Sequence, residues 1–245
     1  MLPVRDHLPT RSVAGVNYTL IAANTLVMLG EMSRAASGAD VEALAARWAL
    51  VPAQLTAHPL ASLPSLFTHM FLHGSLAHLA GNMLFLWIFG DNVEDALGHG
   101  RYLLFYLTCG VAAALAQVAL GPHASVPMLG ASGAISGVLA GYLFLYPTSP
   151  IEVINPIPIL WLFWGLFIWI PAWFVIIEWF GANLYSALTS NTGAGGVAFA
   201  AHVGGFIAGL ASIPLLRTKE AVDYAPWDRF LDPRYMKSRR GRHAA

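Results

Sequence analysis

The feature that most constrains this chain is a long stretch with almost no charge. Between Arg101 and Arg217 the sequence has no Lys, Arg or Asp, and its acidic residues there are Glu152 and Glu178. Soluble domains carry about 25% charged residues, whereas this chain is 11% charged and 57% hydrophobic. A soluble fold made from such a stretch would expose large apolar patches to water. The stretch therefore predicts that the chain folds in a lipid bilayer.

Six apolar segments have the composition of membrane-spanning helices, which need roughly 20 residues each. They are 14–32, 75–90, 101–120, 130–147, 170–189 and 196–215. We therefore predict an all-α, polytopic membrane protein with six transmembrane helices. Residues 151–170 are ambiguous, because Pro156, Pro158 and Pro171 would each break a continuous helix. For them we expect an interfacial or re-entrant segment, with a seventh span as the alternative.

Basic residues are distributed unequally between the two sides that six spans define. The N-terminal segment, the loop with Arg101 and the tail from Arg217 hold eleven Lys and Arg residues, whereas the other side holds only Arg34 and Arg47. By the positive-inside rule, both termini are predicted to be cytoplasmic. The predicted organisation is a cytoplasmic N-terminal segment (1–13), one membrane domain (14–215) and a basic cytoplasmic tail (216–245).

Polar residues cluster at the start of the second predicted span, where burial in lipid is costly and polar groups are often functional. His69 and His73 precede His78 and Asn82, which are four residues apart and so share one helix face. They could offer two donors to one point, or they could simply hydrogen-bond neighbouring helices. The sequence has no HExxH pattern and no carboxylate at ligand spacing, so we predict neither a metal nor a cofactor.

Small residues surround Ser132 at the start of the fourth predicted span and His202 in the sixth. Glycines at intervals of four let two helices approach until their backbones touch. The imidazole of His202 is on the small-residue face of its helix, so the sixth span is predicted to dock on the fourth. Helix packing alone could also explain both motifs. The predicted packing residues are Gly133, Gly137, Gly141, Gly205 and Gly209.

Counting residues from the span ends brings the polar side chains to a common depth. Ser132 is near the external end of the fourth span, and His202 is about six residues into the sixth. His78 and Asn82 are within the first two turns of the second. At 1.5 Å per residue, all four fall within roughly 10 Å of one depth. The backbone N–H of Ser132 lies in a first helical turn, where such groups lack partners and can bind an anion.

Three motifs in this order resemble the rhomboid family of intramembrane serine proteases, over roughly residues 62–215. They are HxxxN at His78-Leu79-Ala80-Gly81-Asn82, GxSG at Gly130-Ala131-Ser132-Gly133, and AHxxGxxxG from Ala201-His202 to Gly209. The resemblance implies a six-helix rhomboid-like bundle of the bacterial type, in a bacterial plasma (inner) membrane. It also implies that the substrates are single-pass membrane proteins held in the lipid bilayer.

The resemblance also implies a role for each polar residue. Ser132 would be the nucleophile and His202 the general base. His78, Asn82 and the Ser132 backbone N–H would hold the oxyanion. Well-known bacterial members carry Tyr four residues after the nucleophile, stacked on the catalytic His. Here that position is Ser136, so the sequence does not predict what orients His202.

The sequence also argues against two other functions. A catalytically silent rhomboid-like protein that binds membrane proteins would lack the Ser or the His, and both are present. A small transporter or channel would spread polar groups through the bilayer depth or show an inverted repeat, and neither pattern is seen. The net charge of zero gives no sign of nucleic-acid binding. An intramembrane serine endopeptidase is therefore the predicted function.

Overall fold

The computed structural model of the chain describes residues 1–38, 43, 47–189 and 197–218, most of which are helical. A π-helical turn is formed by Leu86–Gly90, and single 3-10 turns are formed by His69–Phe71 and Pro158–Leu160. The helices are α1 Gly15–Ala36, α2 Pro52–Ala57, α3 Pro59–Ser62, α4 Ser65–Thr68, α5 Leu76–Phe85, α6 Asp91–Leu97, α7 His99–Leu120, α8 Ser132–Leu145, α9 Trp161–Trp164, α10 Ala172–Thr189 and α11 Val197–Leu216.

Each of the six predicted spans is occupied by a helix. Within the described ranges, His99–Leu120 and Phe199–Leu216 are each long and apolar enough to cross a membrane. The helical stretches Pro59–Phe71 and Leu76–Leu97, bent by 79° at their junction, add a third candidate if they are counted as one span. Ser132–Leu145 and Ala172–Ala182 are shorter apolar helices. The count of six spans stays a prediction.

The all-α prediction needs one correction, because three short strands form an antiparallel sheet. The strands are β1 (Leu2–Asp6), β2 (Pro150–Ile154) and β3 (Phe167–Pro171), in the order β1-β2-β3. In β2 the side chains of Ile151 and Val153 are fully buried while Glu152 between them is not, as the alternation of a half-buried strand requires. Alternation is hard to see in so apolar a sequence.

The ambiguous segment 151–170 is a β-hairpin and not a spanning helix. Beyond the β2–β3 pairing, the backbone N–H of Asn155 donates to the carbonyl of Leu166 at 2.8 Å. Between these residues the chain forms α9, and Gly165, which follows its last residue, has a φ of +81°. Pro156 and Pro158 lack the N–H groups that a continuous helix would need. The tip side chains are exposed, with Leu162 at 82%.

Helix α8 is the centre of the helical bundle and positions the candidate site. Its residues from Gly133 to Tyr142 are all buried. It packs against both α7 and α11, because a Cβ atom on Gly137 would meet the side chain of Cys109 in α7 and the carbonyl of Gly205 in α11. Ser132 is the first residue of α8, and the loop before it crosses the beginning of α5. This arrangement brings α5, α8 and α11 together at one end of the bundle.

Candidate active site

Ser132 and His202 are hydrogen-bonded across two helices. The Oγ atom of Ser132 lies 2.9 Å from Nε2 of His202, although the residues are 70 positions apart in sequence. His202 is buried, with 6% of its surface exposed, and within the described ranges its Nδ1 atom has no hydrogen-bond partner. Hydroxyl and imidazole are therefore in contact, and no carboxylate of the described residues accepts a hydrogen bond from Nδ1. This distance lets the imidazole take a proton from the hydroxyl.

Close backbone contact between α8 and α11 sets this distance. A Cβ atom on Gly205 would overlap the carbonyl group of Gly133, and one on Gly209 would lie 2.5 Å from the carbonyl oxygen of Gly137. A Cβ on Gly141 would lie 3.1 Å from the ring of Phe105, on α7. Glycine is the residue that permits such contact, because it has no side chain. Ser132 is next to the first of these contacts in sequence, so the packing positions its hydroxyl.

The side chains of His78 and Asn82 lie beside the loop that leads into α8. A Cβ atom on Gly130 would be 2.9 Å from Nε2 of His78 and 3.7 Å from Nδ2 of Asn82. Gly130 has a φ of +116°, a conformation that other residues avoid, and its N–H donates to the carbonyl of His69 at 2.8 Å. The side chains of His78 and Asn82, which are both potential donors, thus face the backbone of Gly130, two residues before Ser132.

The beginning of α5 is stabilised by a side-chain cap that helps to place His78. Ser75 precedes the helix in an extended conformation, and its Oγ atom accepts a hydrogen bond from the backbone N–H of His78 at 3.1 Å. Serine is favoured at this position because its oxygen satisfies an N–H group that has no helical partner. The cap fixes where α5 starts. His78 then lies in the first turn, and Asn82 one turn further on the same face.

His73 contacts Asn82 directly. His73 lies in the polar cluster predicted from the sequence, which indicates no role for it. Its Nε2 atom lies 2.9 Å from Nδ2 of Asn82. An amide nitrogen can only donate, so Nε2 of His73 accepts and the proton of the neutral ring is on Nδ1. The ring also packs edge-on against His78, with the centroids 5.2 Å apart. His73 thus contacts both side chains predicted to bind the oxyanion.

The side chain that packs on His202 is Trp179 of α10, which sequence reasoning missed. The two ring centroids are 5.5 Å apart and the ring planes are inclined at 49°. Ser136, at the position where the family's bacterial members have Tyr, is fully buried and donates to the carbonyl of Ser132 at 2.8 Å. Its hydroxyl is therefore hydrogen-bonded within its own helix. Trp179 stands in an aromatic-rich segment, where the sequence gives no signal to distinguish it.

Metal ligands are not grouped in this region. Nowhere in the part of the chain that the structure describes do three His, Cys, Asp or Glu side chains come together as a metal ion would require. The histidines near Ser132 instead contact hydroxyl, amide and aromatic groups. Their arrangement suits hydrogen bonding and proton transfer.

Comparison with known proteins assigns the chain to a family. The family model described as "Rhomboid domain" matches residues 61–219. The rhomboid protease GluP of Bacillus subtilis (strain 168) is 44% identical over 80 residues, which are 33% of this chain and 15% of that protein. The rhomboid proteases GlpG of Salmonella choleraesuis (strain SC-B67) and Salmonella paratyphi A (strain ATCC 9150 / SARB42) are each 30% identical over 149 residues, 59% of this chain and 45% of those proteins.

The matched region thus spans less than half the length of these curated relatives. The family match nevertheless covers most of the chain and includes Ser132, His202, His78 and Asn82. The family and the apolar helices identify an integral membrane protein. The resemblance predicted from the three motifs is confirmed: the chain belongs to the rhomboid family.

Proposed function

We propose that this chain is a serine-type endopeptidase that cleaves transmembrane segments of membrane proteins with a Ser132–His202 dyad. The observation that carries the proposal is the 2.9 Å distance between Ser132 Oγ and His202 Nε2. Ser132 Oγ attacks the scissile carbonyl carbon while His202 Nε2 takes its proton. The imidazolium then protonates the leaving amine, which leaves an acyl-enzyme. A water molecule activated by His202 hydrolyses the ester and restores the hydroxyl.

The oxyanion of each tetrahedral intermediate would be bound by His78, Asn82 and the Ser132 backbone N–H. Support comes from the position of both side chains beside Gly130. They lie close to the place that a Cβ atom would take there, and glycine has none. The Ser132 N–H belongs to the first turn of a 14-residue helix, where the helix dipole also favours negative charge. Each donor of this kind typically contributes on the order of 10²–10³ in rate.

The proposed topology has six spans with both termini in the cytoplasm of a bacterial plasma membrane. Its support is the bias of eleven basic residues to two and the presence of a helix in each of the six apolar segments. The segments 1–13 and 216–245 would then flank the membrane domain 14–215 on its cytoplasmic side. Ser132 would lie near the outer surface, where water for hydrolysis is available.

The proposed substrates are single-pass membrane proteins. A transmembrane helix hides its carbonyl groups in backbone hydrogen bonds, so a substrate must unwind locally before Ser132 can attack. Segments with weak helix propensity near the outer surface would meet this requirement most easily. The substrate reaches the site through the bilayer. The proposed partners are therefore the substrate proteins and the lipid bilayer itself.

The test is cleavage of a model single-pass substrate in proteoliposomes. We expect Ser132→Ala and His202→Ala each to abolish cleavage and to abolish labelling of the protein by a fluorophosphonate probe. Ser136→Ala is the matched control, because Ser136 is one turn further along α8 and donates to its own helix; it should cleave at close to the parent rate. Substrate binding without cleavage or labelling by the parent would instead indicate a catalytically silent binder.

A further inference from the structure

A cavity of about 600 Å³ lies between the C-terminal end of α1 and the segment 47–72. This volume is in the range of small-molecule sites. Val27, Phe71 and Leu72 contribute apolar wall, and the charged lining residues are Glu31, Arg34 and Arg47. The residues of the proposed dyad do not line it. The cavity therefore combines charges of both signs with an apolar wall.

Glu31 is the unusual residue in this cavity. Its surface is only 8% exposed, and within the described ranges its Oε2 atom has no hydrogen-bond partner. The backbone N–H of His73 faces the carboxylate, which accounts for one oxygen at most. Burying an ionised carboxylate is costly unless it is paired and hydrogen-bonded. The unpartnered oxygen therefore points to a donor, preferably a cation, that the described residues do not supply.

Arg34 and Arg47 line the same cavity but do not neutralise Glu31. Among the described residues no ion pair joins Glu31 to either arginine, so opposite charges line the cavity without direct contact. Both arginines are exposed, and the Arg47 guanidinium lies 5.5 Å from the ring centroid of Trp48. The cations are therefore at the rim and the carboxylate is inside.

We propose that this cavity binds the head group of an aminophospholipid of the phosphatidylethanolamine type. The primary ammonium would donate to Glu31, and the phosphate would be bound by Arg34 and Arg47, whose guanidinium groups match phosphate oxygens in geometry. The first methylenes of the acyl chains would lie along Val27 and Leu72. A lipid is the natural ligand, because the chain is an integral membrane protein and the apolar wall continues the surface of α1.

The charge pattern predicts which lipids are excluded. A primary ammonium has three N–H donors, whereas the quaternary ammonium of phosphatidylcholine has none and is larger. Phosphatidylglycerol keeps the phosphate but has no cation for Glu31. Selectivity for the ethanolamine head group therefore depends on Glu31, and general phospholipid affinity depends on the two arginines.

The test is native mass spectrometry of the purified full chain with phosphatidylethanolamine, phosphatidylcholine or phosphatidylglycerol of matched acyl chains. We expect the parent to retain one phosphatidylethanolamine about tenfold more tightly than the other two lipids, the effect of one charged hydrogen-bonded contact. Equal retention of all three lipids by the parent would overturn the proposal. This comparison needs no variant and no proteolytic activity, so it is independent of the proposed function.

Variants then assign the selectivity to residues. Glu31→Gln should lose the preference for phosphatidylethanolamine, and Arg34→Ala with Arg47→Ala should weaken retention of all three lipids by about tenfold or more. Arg101→Ala is the charge-matched control; Arg101 contacts the carbonyl of Leu216 and should leave retention unchanged. An undiminished preference in folded Glu31→Gln protein would overturn the proposal. So would displacement of the lipid by soluble phosphoethanolamine at equal concentration, because the apolar wall should favour the lipid.

Discussion

The backbone carbonyl of Gly133 faces Gly205 so closely that a Cβ atom at position 205 would overlap it. Gly205→Ala should therefore push α11 away from α8 and lengthen the Ser132–His202 distance. Overpacking of this kind typically costs about 1–3 kcal/mol of unfolding free energy, and misplacing a catalytic group by about 1 Å costs on the order of 10²-fold in rate. Thermal unfolding in detergent micelles and kcat on a model substrate measure the two effects.

Gly100→Ala is the control for that experiment. Gly100 is also helical, but a Cβ atom there would meet nothing within 4 Å. We expect its unfolding free energy to change by no more than about 0.5 kcal/mol, as for most surface substitutions, and its kcat to be unchanged. Equal behaviour of the two alanine variants would show that backbone contact does not set the dyad distance.

Gly130→Ala and Gly98→Ala separate backbone strain from contact with His78. Both glycines have positive φ, +116° and +78°, so alanine should cost roughly 1–2 kcal/mol of stability at either position. Only at Gly130 would the new methyl group meet the His78 ring, 2.7 Å from Cε1, whereas at Gly98 it meets open space. We therefore expect kcat to fall by at least tenfold for Gly130→Ala only. Similar kcat values for the two variants would contradict a role for His78.

Asn82→Ala should lower kcat while leaving KM nearly unchanged. The amide is proposed to bind charge that develops only in the transition state, so its loss should cost on the order of 10²–10³ in kcat. Steady-state kinetics in proteoliposomes over a range of substrate density in the membrane would measure both parameters. A rise in KM at constant kcat would instead identify Asn82 as a substrate-binding residue.

His73→Ala tests whether the contact between His73 and Asn82 positions the amide. Nε2 of His73 lies 2.9 Å from Nδ2 of Asn82, so losing this acceptor frees the amide to rotate. We expect kcat to fall about tenfold, which corresponds to roughly 1.4 kcal/mol. In the Asn82→Ala background the same change should have almost no further effect, because His73 acts through that amide. If the two losses in kcat were additive in the double variant, His73 would not act through the Asn82 amide.

Trp179 should be needed for the orientation of His202. Trp179→Phe keeps an aromatic ring in contact with the imidazole and should retain most of the activity, whereas Trp179→Ala should lower kcat by about tenfold or more. Trp173→Ala is the control, since this ring is half-exposed and packs on Phe174. Fluorophosphonate labelling rates report the reactivity of Ser132 without a substrate, and should fall in the same order. Equal rates for the two alanine variants would argue against the contact.

The sequence predicted the parts of this molecule that depend on local pattern. Apolar segments indicate helices because hydrophobicity is read over about twenty neighbouring residues, and the spacing of Gly205 and Gly209 from His202 indicated a packing face. Trp179 was missed, because selecting one ring from an aromatic run requires knowing how α10 faces α11. The pairing of Leu2 with Ile154 was missed too, because no local pattern records which distant strand lies alongside.

That pairing has a consequence for the timing of synthesis. Strand β1 leaves the ribosome before the helices, and its partner β2 follows about 150 residues later. At roughly 5–20 residues per second, β1 waits about 7–30 s while α1 to α8 are made. During that interval its backbone donors and acceptors have only water or a chaperone as partners. The sheet therefore closes only after α1 to α8 have been made, and it joins a segment made before α1 to a segment made after α8.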